Sequence, residues 1–547
     1  MKIFQPIRNI TLMLLLLAIK VADSNASIVP VGNNITTNTT WTSSNIYLLT
    51  GIVYVTNNST LTIEAGTIIE GDSTALGSLI ITRGSKIMAI GTVSQPIVFT
   101  SAKPAGNRNR GDWGGLILLG YAPVNWPGDT GHIEGITPNP NTRYGGGLNP
   151  NCAGGDCADT HDNSGTLQYV RIEFAGIALA PNNEINGLTF GGVGDGTTID
   201  HVQVSYSNDD SYEWFGGTVN CKHLIAFRGL DDDFDTDNGY SGHVQFSVSL
   251  RDPNVADISG SKGFESDNDP TGTTNLPQTS AVFCNVDVIA GGDTTNNPLF
   301  IAGAHIRRNS HEFIYNSILM GWPEGLLIDG TSSQANVVLD TMIDHDLITC
   351  KSPANDVVTA SPAGTTPVID LLKTGAHNNF YTGNAGVMLS DPYNLANPDF
   401  QPIIGSPALG TASFAHAALN NAFIQPVTYK GAFDGSNDWT NTWANWDPVN
   451  ANYTGIFSVS GNVYPTEIFP NPSTGLLQLR MHASHSADVK LQVMDLTGRM
   501  VMEKSASITA GFNSVTLEVS SLIPGSYTLR IFNPQTKEQG TSKFVKE

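Results

Sequence analysis

A nine-residue segment at 209–217 (D-D-S-Y-E-W-F-G-G) returns in altered form 22 residues later at 231–239 (D-D-D-F-D-T-D-N-G). The flanks shift with it. His201-Val202-Gln203-Val204 falls over His223-Leu224-Ile225-Ala226, and His243-Val244-Gln245-Phe246 follows 20 residues on. A third copy at 263–268 (G-F-E-S-D-N) comes after an insertion near Pro253. Short apolar-alternating runs at 60–63, 78–82 and 96–100 extend the texture toward the N-terminus, each closed by turn residues. Helical periodicity is almost absent. A repeat of this length built from short strands is about one turn of a parallel β-helix, whose rungs pair ~4.8 Å apart. No rung buries its own apolar face, so neighbours supply stability and both ends need covers. The expected fold is all-β: a right-handed parallel β-helix over 27–455. Residues 36–51 are expected to form the N-terminal cap and 397–400 and 405–409 the closing turns. Trp439, Trp443 and Trp446 are expected to cover the open end. The Gly/Asn/Pro-rich stretch 123–164 lacks strand periodicity and reads as a long loop excursion.

Aligning the copies on Tyr212, Phe234 and Phe264 produces a second pattern. If those rings face the core, Glu213, Asp235 and Glu265 face outward, because strand side chains alternate. Asp237 and Asp267 make a second outward column. Asp231 and Asp233 are placed outward on the middle copy, with Asp209 stacked on Asp231. Carboxylates at ~5 Å in an effective dielectric near ~20 repel by roughly 3 kcal/mol per pair. Protonation, a basic neighbour or a bound cation relieves this. Arg228, Arg251 and Lys262 are near in sequence but too few for all the charges. Calcium takes about six to eight oxygens, which makes Glu213, Asp231, Asp233, Asp235, Asp237, Glu265 and Asp267 its candidate ligands. The alternative is a hydrated acidic face with diffuse counterions. The D-x-D-x-D run at 233–237 is not an EF-hand, since no glutamate closes the loop and no helices flank it.

The same acids raise a catalytic reading. Asp209-Asp210 and Asp231-Asp232 would be acid and base of a glycoside hydrolase, or Arg228 or Arg251 the base of a calcium-dependent lyase. No complete substrate-binding motif accompanies them: Gly242-His243 is followed by Val244, and Arg307-Arg308-Asn309 matches loosely. His201, His223 and His243 form a column of polar strand starts. No catalytic residue is assigned.

The chain has 547 residues, only 14% of them charged, and a formal charge of -22. That balance excludes nucleic-acid binding, which needs a basic footprint. Lys2 and Arg8 precede an apolar run at 12–19 and the small-x-small triplet Ser24-Asn25-Ala26. Residues 1–26 therefore read as a signal peptide cut after Ala26, too short to span a membrane. No later stretch is long and apolar enough, so no transmembrane span is expected in the mature chain. Export permits disulfides. Cys152 and Cys157 share one Gly-rich loop and are placed to close a ring; Cys221, Cys284 and Cys350 read as small buried hydrophobes.

The tail has one-sided strand patterning at 489–493, 515–519 and 527–531, as a small antiparallel sandwich requires. It carries Pro470-Asn471-Pro472 and Gly475, then Asp495 and Gly498, Gly525 and Tyr527, and Lys543 near its end. This pattern resembles the type A sorting domain that Bacteroidetes attach to cargo of the type IX secretion system. The resemblance implies a linker and sorting domain over 456–547. It also implies an outer-membrane secretion machinery with its sortase as partners, and a surface or extracellular destination. Segments 61–67 (L-T-I-E-A-G-T), 81–84 (I-T-R-G), 111–116 (G-D-W-G-G-L) and 213–217 resemble exported Bacteroidetes β-helix proteins, which implies fold and compartment but no reaction. In such proteins Ser73, Thr294 and Thr341 fit a short O-glycosylation sequon. Two functions follow: a non-enzymatic, adhesin-like, structural or ligand-binding exoprotein that meets an extracellular glycan or host surface, or a carbohydrate-active enzyme on an acidic polysaccharide, with Trp113, Trp126 and Trp322 as sugar platforms.

Overall fold

The computed structural model describes residues 26–149, 157–180, 183–292, 297–351, 353–360, 366–453, 466–483, 486–495, 499–533 and 539–547. The signal segment before Ala26, Cys152, Thr294, Gly498 and the linker before Thr466 lie outside them.

Parallel strands wind into a solenoid whose rungs present three faces. One face is a ten-stranded parallel sheet; the other two are joined in a 17-stranded sheet. They join because single strands turn the corner between them. Gly165–Glu173 pairs through its first half with Lys86–Ile90 and through its second with Ile97–Ser101. Later rungs repeat this, and at each corner one residue takes the left-handed conformation: Tyr169, His201, His223, Phe246, Asn285 and Asn316, with φ of 50–58°. Inside, equivalent side chains stack. The Tyr212 and Phe234 rings lie 5.7 Å apart, and Phe234 and Phe264 5.6 Å. Burying such rings against neighbouring rungs stabilises by about 1.5–3 kcal/mol each.

Residues 36–51 are not a separate cap. Thr39–Trp41 pairs with Thr60–Ile63, and Asn45–Leu49 with Ile68–Gly71, so the ladder begins with Ser27–Val31 on Asn45–Leu49. Ten residues, Thr331–Asp340, form an α-helix that the strand-dominated pattern did not foretell. Residues 124–144 of the excursion fold over the ten-stranded sheet. Val124, Ile133, Ile136 and Tyr144 pack on Ile80, Ile117, Leu119 and Phe215.

The tryptophans do not close the open end. Residues 403–453 return along the side of the solenoid as a strap. Asn316 grips Ser413, with Nδ2 donating to its carbonyl (2.8 Å) and Oδ1 accepting from its N–H (2.9 Å). Gln245 holds Gln425 in the same way (2.8 and 2.8 Å), and Gln203 holds Asn445 (2.9 and 2.8 Å). Trp439 and Trp443 stand edge-on to His201, and Trp446 meets Phe227. Tyr453 reaches Glu173 at 2.7 Å.

The tail forms antiparallel sheets of three and four strands around its own core, which includes Leu477, Leu479, Val489, Leu491, Val493, Tyr527, Leu529 and Ile531. Asn471 ties the Pro-Asn-Pro turn to the last strand by accepting from Val545 N at 2.9 Å. Asp495 accepts from the Arg499 guanidinium at 3.1 Å, and Tyr527 stacks on Phe544.

Candidate functional site

The outward column of the ten-stranded sheet can be followed rung by rung. It runs Tyr54, Ile80, Ile117, Thr189, Glu213, Asp235, Glu265, His305, Leu327. The residue type changes where the apolar cover of the excursion ends. The expected column Glu213–Asp235–Glu265 is in register.

Around it the carboxylates form a continuous seam. Oxygens of Asp209, Asp210 and Asp231 lie within 4.8 Å of one another, as do those of Asp210, Glu213 and Asp235, and of Asp232, Asp235 and Glu265. Asp210 and Asp235 link the three groups. Two members also cap backbone: Asp210 Oδ1 accepts from Asp232 N at 2.8 Å, and Asp232 Oδ1 from Lys262 N at 2.6 Å. Asn186, at the first rung, donates to Glu213 and to Glu134 of the excursion.

Charge compensation is uneven. Lys262 lies 3.4 Å from Asp232 and also pairs with Glu265; Arg307 pairs with Glu265 and, at 2.8 Å, with Asp267; Arg308 meets Asp267 at 2.6 Å. Asp210, Glu213 and Asp235 receive no such partner among the described residues. Burial first, then the neighbouring acids, push their carboxyls far above the usual range. Asp237 is raised likewise by burial and by Asp267. Asp231 rises to about 6, chiefly by burial, and accepts from Ser259 at 2.9 Å. Asp235 Oδ1, Asp231 Oδ1 and Asn186 Oδ1 are buried without a hydrogen-bond partner. This all-oxygen donor set suits a hard divalent cation.

Asp233 does not join the outward set. It precedes the strand Phe234–Asp237, where alternation does not apply, and is buried against Arg251 at 2.9 Å. The His column is also corrected. His201 and His223 stack 4.3 Å apart at the corners, and Phe246, not His243, continues them. The rung lengthens there by one residue, so Val244 pairs with Cys221. The roles of Asn186, Glu134, Arg307 and Arg308 had no local signal, since the rungs that bring them together vary in length.

The residues cast for carbohydrate chemistry are otherwise engaged. Trp113 and Trp322 are fully buried in the core. Trp126 Nε1 donates to the Tyr144 hydroxyl at 2.7 Å within the excursion. Arg251 is wholly buried, and Arg228 pairs with Asp252 at 3.1 Å. Among the cysteines, Cys157 is disulfide-bonded, its expected partner Cys152 lying outside the described residues, and Cys221, Cys284 and Cys350 are buried. Ser73 and Thr341 are half-buried, in a turn and at a helix end.

Comparison with known proteins gives two family matches. The model described as "Pectate-lyase like beta helix domain" matches residues 33–387, and that described as "Secretion system C-terminal sorting domain" matches 467–547. No curated protein matches the chain. A similar solved structure is the full-length tailspike protein 2 of Escherichia coli O157:H7 bacteriophage CAB120, 12% identical over 91% of this chain with a TM-score of 0.23. The chain covers 64% of that tailspike's length. No helix among the described residues is long and apolar enough to cross a membrane. The chain belongs to the pectate-lyase-like β-helix domain family, and its C-terminal sorting domain marks it as a secreted or cell-surface protein exported through a type IX pathway of the Bacteroidetes kind.

Proposed function

We propose that this protein is a non-enzymatic exoprotein, adhesin-like, structural or ligand-binding, whose acidic seam is stabilised by calcium. The observation that carries the reading is that Asp210 and Glu213 are buried, and Asp235 half-buried beside them with its Oδ1 enclosed, without an ion-pair partner among the described residues. Acids in that setting act through a cation or a proton, and they are poorly placed to meet a polymer. Trp113, Trp322 and Arg251 are packed into the fold, and Trp126 and Arg228 are held by Tyr144 and Asp252, which supports the same reading. Asp210, Glu213 and Asp235, with Asn186 Oδ1, would supply the oxygens. The sortase of the secretion machinery would act in the linker, and the solenoid would meet an extracellular glycan or host surface.

A thermal melt tests the cation. A ligand at a hundredfold excess over its Kd adds about 2.7 kcal/mol, so chelator should lower the Tm of the solenoid and Asp235→Asn should abolish that response. A wild-type melt indifferent to chelator refutes the calcium site. The description of the matched family favours a second reading, a lyase or hydrolase on an acidic polysaccharide. Incubation with a panel of polyuronates, with and without calcium, separates the two: unsaturated or shortened products would replace the first reading by the second.

A further inference from the structure

One arrangement occurs twice along the solenoid: an aspartate, the histidine after it, and a histidine one rung on. At the first place Asp200 Oδ1 lies 2.9 Å from His201 Nδ1 and 2.7 Å from His223 Nδ1. At the second, Asp344 Oδ1 lies 3.1 Å from both His345 Nδ1 and His377 Nδ1, with the two rings stacked 4.5 Å apart. The surroundings differ. Trp439 and Trp443 close over His201, and Trp439 over His223. The His377 side chain, by contrast, is 70% exposed.

We propose that Asp344, His345 and His377 form a binding site for a transition-metal cation of the zinc class. Two imidazole nitrogens and one carboxylate, with a side open to water, are the ligand set that such ions prefer. The acidic seam is all oxygen and suits a different cation. Metal–ligand bonds of about 2.0–2.1 Å set tetrahedral ligand atoms about 3.3 Å apart, close to the 3.1 Å observed. The carboxylate is already oriented. Asp344 Oδ1 accepts from the backbone N–H of His345 (2.8 Å) and of His377 (2.6 Å). Oδ1 is thereby held beside both imidazoles, and Oδ2 lies 3.4 Å from His377 Nδ1. His345 is fixed by its left-handed backbone, φ 62°. The Lys430 ammonium also acts on both His345 and Asp344 and opposes a cation there.

The test is calorimetric titration of the untagged full chain with zinc in millimolar calcium, so that the oxygen-only seam is saturated. One micromolar zinc site is expected, and cobalt in its place should give the visible absorption of a tetrahedral ion. His377→Ala, at an exposed position, should weaken zinc about tenfold or more with the zinc-free Tm unchanged. Asp344→Asn, which retains an acceptor for the two N–H groups, should do the same. His161→Ala, at an exposed histidine–aspartate pair elsewhere, should leave zinc binding intact. Absence of zinc uptake below millimolar concentration, or an affinity unchanged in both the His377 and Asp344 variants, overturns the proposal.

Discussion

The corner under the strap and the face that carries the acid seam both bury polar side chains, by different means. Gln203, Gln245 and Asn316 are buried, and each meets one backbone peptide group with a donor and an acceptor. A carboxamide carries both functions and no charge, so such a pair is complete in itself. An ionised carboxylate only accepts. Stacked carboxylates must therefore recruit charge from elsewhere: Arg251 for Asp233, Lys262 and Arg307 for Glu265, Arg308 for Asp267. Where recruitment stops, at Asp210, Glu213 and Asp235, the proposed cation or a proton would have to supply the compensation. The amide clamps would thus be indifferent to pH and cations, and the acid seam responsive.

The largest effect expected from breaking this contrast is at Arg251. Its Nη1 pairs with Asp233, both side chains fully buried, and its Nη2 donates to Leu230 O at 2.9 Å. Arg251→Ala strands the carboxylate, and loss of one partner of a buried pair costs about 3–5 kcal/mol. Urea unfolding measures it; a loss below about 1 kcal/mol would show that the pair behaves as an exposed one.

A smaller effect comes from pH. Burial raises Asp231 from 3.8 to about 6, and the seam acids beside it rise as well. The folded state then holds protons more tightly than the unfolded chain. Stability is full below the unfolded pKa near 4 and falls as pH rises through the folded values. At about 1.4 kcal/mol per unit, the shift of Asp231 is worth about 3 kcal/mol in all, of which about 1 kcal/mol is lost between pH 5 and pH 7. Unfolding in chelator at pH 5 and pH 7 should show the loss, and saturating calcium should remove it. Equal stabilities in chelator would mean that the seam does not titrate within the folded state.

The sequence made the solenoid legible because rung spacing and strand alternation are local rules. Glu213, Asp235 and Glu265 fall in one column for that reason, and the core rings fall in the next. The rules fail where a strand ends, as at Asp233, and where a rung changes length, as between His223 and His243. They also say nothing about contacts across hundreds of residues. Arg307 reaches Asp267 from 40 positions away, and Asn445 reaches Gln203 from 242. The tryptophans of the strap looked like an end cover because an open end is the place a solenoid is known to need one. The amides that hold them against the side are ordinary Gln and Asn in the linear chain. The antiparallel fold of the tail was legible as well, since its alternating strands are local.

The finest test of the contrast lies at Gln245. Its Nε2 donates to Gln425 O and its Oε1 accepts from Gln425 N, both at 2.8 Å. Gln245→Leu keeps the bulk and leaves a strap peptide group without partners, at a cost of about 1–3 kcal/mol. Gln203 and Asn316 hold the strap on either side, so the opening should be local. Hydrogen exchange should quicken around Gln425 while the rung strands keep their protection. No titratable group takes part in this clamp, so the destabilisation should be the same at pH 5 and pH 7, with or without calcium. A pH-dependent cost would mean that the strap and the acid seam are coupled through the rungs, and the two sides of the solenoid would then have to be treated as one responsive unit.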